Sequence, residues 1–144
     1  MGYRMSMMEE SFRLSNYRSA EALAAIKALA GGETIHDCSG PHFSWVDSQD
    51  FTSAKTLEEA LRAWRWDPSL DDEGNIESLW FVGEKLGDDK ILFQAIAPFV
   101  EPGSYLQMIG DDDSIWRWRF DGFHVHEEPG RIVFDAPPVD PAPQ

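Results

Sequence analysis

An Asp-Gly pair stands between two stretches of alternating apolar and charged side chains, and it constrains the fold more than any other feature of the sequence. Asp121 and Gly122 suit the positive-φ positions of a two-residue hairpin turn. Pairing Phe120 with Phe123 predicts Trp118 opposite Val125 and Trp116 opposite Glu127. Trp116, Trp118, Phe120, Phe123 and Val125 then share one face, the expected core side. The other face carries Arg117, Arg119, His124 and His126, with Arg119 across from His124 and Arg117 across from His126.

Further strands are expected around this hairpin. Ser104–Ile109, Ile115–Phe120, Phe123–Glu127 and Arg131–Phe134 are separated by Gly and Asp turns and read as an antiparallel meander. Ser78–Lys85 reads as one more strand. Thr34–Cys38 and His42–Val46 read as short strands broken by Ser39-Gly40-Pro41.

Three helices are expected. Ser19 is placed to cap a helix with Ala22, Leu23, Ile26, Leu29 and Ala30 on one face, ended by Gly31-Gly32. Thr56-Leu57-Glu58-Glu59 has the spacing of a capping box, followed by a stripe of Leu57, Ala60, Leu61 and Trp64. Between residues 89 and 100, Leu92, Ala95, Ile96 and Phe99 lie at helical spacing behind Asp88 and Asp89, and Pro98 weakens the last turn. That apolar run also suits a strand, and helix is the preferred reading.

These elements predict an α+β fold: an antiparallel or mixed sheet with a C-terminal β-meander, covered mainly on one face by two or three helices. The expected organisation is a flexible N-terminus over 1–10, one domain over 11–135, and a Pro-rich disordered tail over 136–144. A chain of 144 residues buries enough surface for a core without disulfides or metals, and six tryptophans and nine phenylalanines supply bulky apolar area.

Charge excludes several partners. The formal net charge is −14, and most of it follows residue 66: residues 1–66 hold nine acids and seven bases, residues 67–144 hold 17 acids and five bases. The change falls in Asp67–Asn75, which reads as an exposed loop. Direct nucleic-acid binding and attachment to anionic membranes both need clustered Lys and Arg, so neither is expected. No apolar run reaches the length of a membrane span, and Met1–Glu10 has no signal-peptide core, so a cytoplasmic protein is expected. Met1-Gly2-Tyr3-Arg4-Met5-Ser6 fits the loose myristoylation pattern, a match too short to carry weight. The lone Cys38 forms no intramolecular disulfide.

Three groups of residues carry candidate chemistry. The acids Asp71, Asp72 and Glu73, Asp88 and Asp89, and Asp111, Asp112 and Asp113 sit at expected turns or element ends. They lack the alternating spacing of a calcium loop, but a negative field from one scaffold would attract a basic protein. This points to a non-enzymatic acidic binding domain without cofactor or metal. Its most concrete form is an inhibitor of a basic nucleic-acid-handling partner, acting as a nucleic-acid mimic, an anti-defence factor or a toxin-immunity factor. The rival is a small-ligand or metal-dependent enzyme using Arg117, Arg119, His124 and His126 on the 115–127 hairpin as an anion site. His124-x-His126, with Glu128 nearby, has usable metal spacing, although two flanking arginines repel a dication. His36, Cys38 and His42 form a weaker candidate, since a lone Cys is most often a small buried apolar residue.

Overall fold

The computed structural model describes residues 2–30 and 43–134. The order is β1 (Met5–Ser11), a 3-10 turn (Asn16–Arg18), α1 (Ser19–Ala30), α2 (Ser48–Thr52), α3 (Leu57–Ala63), β2 (Trp66–Leu70), β3 (Ile76–Phe81), α4 (Asp89–Ile96), a second 3-10 turn (Ala97–Phe99), then β4 (Tyr105–Gly110), β5 (Ile115–Phe120) and β6 (Val125–Gly130). This is the expected α+β class with its C-terminal meander. The main sheet is antiparallel in the order β1-β4-β5-β6, and β2 and β3 form a separate hairpin.

The N-terminal segment departs most from expectation. Residues 5–10 belong to β1 rather than to a flexible arm, and β1 pairs along β4 from Met5 opposite Gly110 to Ser11 opposite Tyr105. Its pattern is poor in β-branched residues, so propensity gave no strand signal, and pairing with β4 overrides propensity here. The other edge of β1 meets the β2–β3 hairpin at its two ends. There the Met5 amide donates to the Glu84 carbonyl at 3.0 Å, and Leu14 exchanges backbone bonds with Ile76.

Local chemistry explains the helices, with some shifts. Ser19 is the first residue of α1, not its cap, because the preceding 3-10 turn already carries helical geometry into it. Thr56 caps α3 as expected by accepting from the Glu59 amide at 3.2 Å, but the Glu59 carboxylate accepts from the Lys55 amide at 2.8 Å instead of from Thr56. The short α2 was not anticipated; Asp47 starts it by accepting from the Gln49 amide at 2.9 Å. Residues 89–96 are helical, and Pro98 turns the chain into the 3-10 segment, where its missing N–H is tolerated.

Several strand limits move. Asp67–Leu70, expected in a loop, is part of β2, which as a hairpin edge tolerates Pro68. The strand expected over Ser78–Lys85 runs over Ile76–Phe81. Phe43–Val46 is a turn closed by the Val46 amide on the Phe43 carbonyl at 3.1 Å, with Trp45 at φ 69°. Arg131–Phe134 is not a strand; β6 is the continuous Val125–Gly130. The expected Gly31-Gly32 stop, the Thr34–Cys38 strand, His42 and the 136–144 tail lie outside the described residues.

The core lies between the inner sheet face and the helices. Leu106 and Met108 of β4 and Trp118 and Phe120 of β5 are buried, and Phe93 of α4 packs against Trp66, Trp118 and Phe120 with ring centroids 5.0, 5.0 and 5.8 Å away. Phe12 meets Phe120 edge to face at 5.6 Å, and Trp64 packs with Phe43 and Phe51 on the α2–α3 side. Among the described residues no helix is long and apolar enough to cross a membrane.

Candidate functional site

The hairpin turns differently from its expected two-residue form. Phe120 pairs with Val125, Trp118 with Glu127, Arg119 with His126 and Arg117 with Glu128, so four residues, Asp121–His124, make the loop. The cause is the Asp121 side chain. One carboxylate oxygen accepts from the Phe123 and His124 amides at 2.8 and 2.7 Å, and the Asp121 amide donates to the His124 carbonyl at 3.0 Å. An aspartate that closes the loop with its own side chain competes with the tighter turn. Gly122 still takes positive φ, at 96°, and a Cβ there would stand 3.0 Å from Pro102 Cγ. The pairing moves by two residues, so the strand faces are preserved.

Two of the face assignments fail because the loop is longer. Phe123 projects into solvent, 73% exposed, instead of joining the core. His124 sits in the loop and does not join His126 on the strand face. That outer face carries Tyr105 and Gln107 of β4, Arg117 and Arg119 of β5, and His126 and Glu128 of β6.

Each cation on this face already has a neighbour. Arg119 forms an ion pair with Glu128 at 2.9 Å, and His126 Nε2 lies 2.7 Å from Asp121 Oδ2. Arg117 donates to Gln107 Oε1 at 2.6 and 3.1 Å and lies over the Tyr105 ring at 4.0 Å. Among the described residues no three metal-ligating side chains gather. His36, Cys38 and His42 lie outside those residues.

These contacts set the low-pH behaviour. The His126 ring, then the His124 and Phe123 amides, hold the Asp121 carboxyl far below the ordinary carboxylate range. The Arg119 guanidinium lowers Glu128, and the Asn75 side-chain amide lowers Asp71. A carboxyl with a depressed folded-state pKa stabilises the fold above its unfolded value of roughly 4 and loses that contribution as pH falls through the folded one. The expected result is a urea midpoint that drops as the pH is lowered from about 5 towards 2, with a shallower drop in Asp121→Asn. Equal slopes in the two proteins would show that the loop carboxylate does not contribute.

The structure separates the first acidic cluster from the third, leaves the middle one at the Tyr3–Arg4 end with the third, and assigns several of their members to the scaffold. Asp71 closes the β2–β3 turn by accepting from the Glu73 and Asn75 amides, both at 2.9 Å, while the Asp72 and Glu73 carboxylates have no partner among the described residues. Asp112 accepts from the Tyr3 hydroxyl and from the Ser114 amide, and Asp111 accepts from the Arg4 amide at 3.1 Å. Asp113 takes φ 66° and leaves its carboxylate free of described partners. The first cluster lies by the Leu14 end of β1 and the third by its Met5 end, so the two do not converge.

The middle cluster divides. Asp88 accepts from the Ser44 amide at 2.8 Å and remains near the surface. Asp89, expected to bind a partner, is fully buried and has no surface to offer one. Its carboxylate receives both bonds of Arg65 Nη2 at 3.0 Å, the Trp66 indole at 2.9 Å and the Gly87 amide at 2.9 Å. An acidic dipeptide before an apolar run gives no sign that one of its acids turns inward.

Two grooves were invisible in the sequence because their walls come from distant segments. One, of about 410 Å³, runs over the outer sheet face past Met8, Ile115, Arg117, Pro129, Arg131 and Ile132. The other, of about 630 Å³, lies between the 3-10 turns at residues 16–18 and 97–99 and the hairpin loop. Comparison with known family models, curated proteins and solved structures finds no match to this chain.

Proposed function

We propose that this chain is a non-enzymatic acidic binding domain whose partner is a basic protein, with an inhibitor of a nucleic-acid-handling partner as its most concrete form. One observation carries the reading: six of the twelve Lys and Arg side chains pair with a carboxylate, whereas most of the 26 acids have no such partner among the described residues. Arg4, Arg13, Arg18, Arg62, Arg65 and Arg119 each pair with a carboxylate. Asp72, Glu73, Asp113 and Glu101 have carboxylates without a partner among the described residues. A surplus of one sign raises the encounter rate with an oppositely charged surface and repels nucleic acid.

Capture from the native lysate on the immobilised full chain tests this. The expected result is a basic protein, released by moderate salt and displaced by added nucleic acid. Capture without competition by nucleic acid would overturn the inhibitor form, and absence of any basic protein would overturn the reading itself. Asp72→Asn, Glu73→Gln and Asp113→Asn together remove charge without touching the scaffold bonds of Asp71, Asp111 or Asp112.

A second reading is favoured by one feature, the groove over the outer sheet face, in which Arg117 and Arg131 stand beside apolar walls and the Glu128 carboxylate is tied to Arg119. Such a groove suits a small anion with an apolar part. Neither arginine has a carboxylate ion-pair partner among the described residues. Shifts of Arg117 and Arg131 signals on titration with inorganic phosphate would support it, and an unchanged spectrum would remove it.

A further inference from the structure

The larger groove joins three segments that the sequence keeps far apart. Tyr17 precedes α1, Pro98 and Phe99 follow α4, and Phe123 tips the β5–β6 hairpin. Tyr17 and Phe123 are 79% and 73% exposed, large aromatic surfaces left in water beside an open cleft. The backbone that carries each is held in place. The Asn16 amide donates to Asn75 Oδ1 at 2.8 Å and the Arg18 amide to the Ser15 carbonyl at 3.0 Å, while the Phe123 amide is bound by Asp121. Aromatic side chains on a fixed backbone have few rotatable bonds to freeze when they are covered, which is why such residues anchor interfaces.

Two further properties narrow the occupant. Pro98 and Pro102 line the cleft and have no N–H to offer, so a strand-like backbone ladder along those residues is not available. The Val100, Glu101 and Gly103 amides are also bonded within the fold, so that wall presents side chains, which suits an extended polyproline-type peptide whose rings stack on aromatic walls. The rim is acidic. Arg18 is matched by Glu21 at 3.2 Å and lies over the Phe99 ring at 5.0 Å, and the Asp121 carboxylate is taken up by the His126 ring and two loop amides, whereas Glu101 has no side-chain partner among the described residues.

We propose that the cleft between Tyr17, Phe99 and Phe123 docks an extended, proline-containing basic segment of the partner protein, with arginine or lysine directed to Glu101. This rests on the basic-partner reading and adds the surface and the peptide chemistry. The chain's own Pro-rich stretch Ala136–Pro141 carries an aspartate and no base, so its charge does not match the rim.

The test is an NMR titration of the isotope-labelled full chain with a nine-residue synthetic peptide holding a Pro-x-x-Pro core between two arginines, and with its glutamate counterpart. Binding of the arginine peptide alone, with shifts at Tyr17, Phe99 and Phe123, is expected. Tyr17→Ala and Phe123→Ala should each weaken it about tenfold or more, and Glu101→Gln about threefold at low salt with a flatter salt slope. Circular dichroism checks the fold of each variant. Equal binding of both peptides, or no binding of either, overturns the proposal. Shifts centred on Asp111–Asp113 overturn it while leaving the basic-partner reading standing. Changes at Tyr17 and Phe123 on dilution of the free protein, or on removal of residues 136–144, would assign the cleft to a second copy or to the chain's own tail, and either result overturns it.

Discussion

Trp118→Ala is expected to lower the stability of the protein by about 3–5 kcal/mol, the usual cost of emptying an aromatic core position. Trp118 is 1% exposed and touches three other aromatic rings: Phe93 at 5.0 Å, Trp116 at 5.8 Å and Trp66 at 6.3 Å. Its indole N–H also donates to Glu127 at 2.9 Å, so truncation removes the partner of a carboxylate that lies on the apolar face of β6. The neighbouring Arg119→Ala should have a far smaller effect, because Arg119 and Glu128 are both partly solvated and an exposed pair contributes little. Urea midpoints of the two variants, measured side by side, decide the matter. Similar midpoints would contradict the alternation of β5, and a larger loss in Arg119→Ala would mean that the aromatic face is the exposed one.

That pair of substitutions also marks what the residues themselves could reveal. Alternation in Ile115–Phe120 fixed which side chains turn inward, and parity survived even though the loop holds four residues instead of two. The loop length was not legible because Asp121 serves either turn, and the choice depends on its carboxylate finding the Phe123 and His124 amides and the His126 ring. β1 was missed for a different reason: Met5–Ser11 reads as weakly patterned, and only the long-range ladder to β4 makes it a strand. The acidic clusters were legible as charge and not as geometry. Whether an aspartate points to water, closes a turn or enters the core depends on which backbone amides and cations tertiary packing brings to it. The wide cleft shows the limit most plainly, since its aromatic walls stand more than a hundred residues apart in the chain and nothing local joins Tyr17 to Phe123.

The other large effect is expected at Asp89. Its carboxylate links the start of β2, the start of α4 and the bend before α4, by way of Arg65, Trp66 and Gly87. Arg65, at φ 76°, also donates to the Lys85 carbonyl at 2.6 Å and has a side chain only 14% exposed. Asp89→Ala therefore strands a guanidinium away from water and orphans an indole N–H in the core. Removing one partner of a buried pair costs about 3–5 kcal/mol, mostly from the uncompensated charge left behind. The test is a double-mutant cycle read by urea denaturation, with Asp89→Leu, Arg65→Met and both together. The double variant should lose clearly less than the two single losses added, because replacing both charges by apolar groups removes the desolvation penalty along with the attraction. Strict additivity would mean that the two side chains act independently and that the bonds to Trp66 and Gly87 account for the role of Asp89. The same variants separate scaffold from surface: if Asp89 lies in the core, Asp89→Leu should leave the salt dependence of partner association unchanged at temperatures where it stays folded, whereas the Asp72, Glu73 and Asp113 substitutions should reduce it.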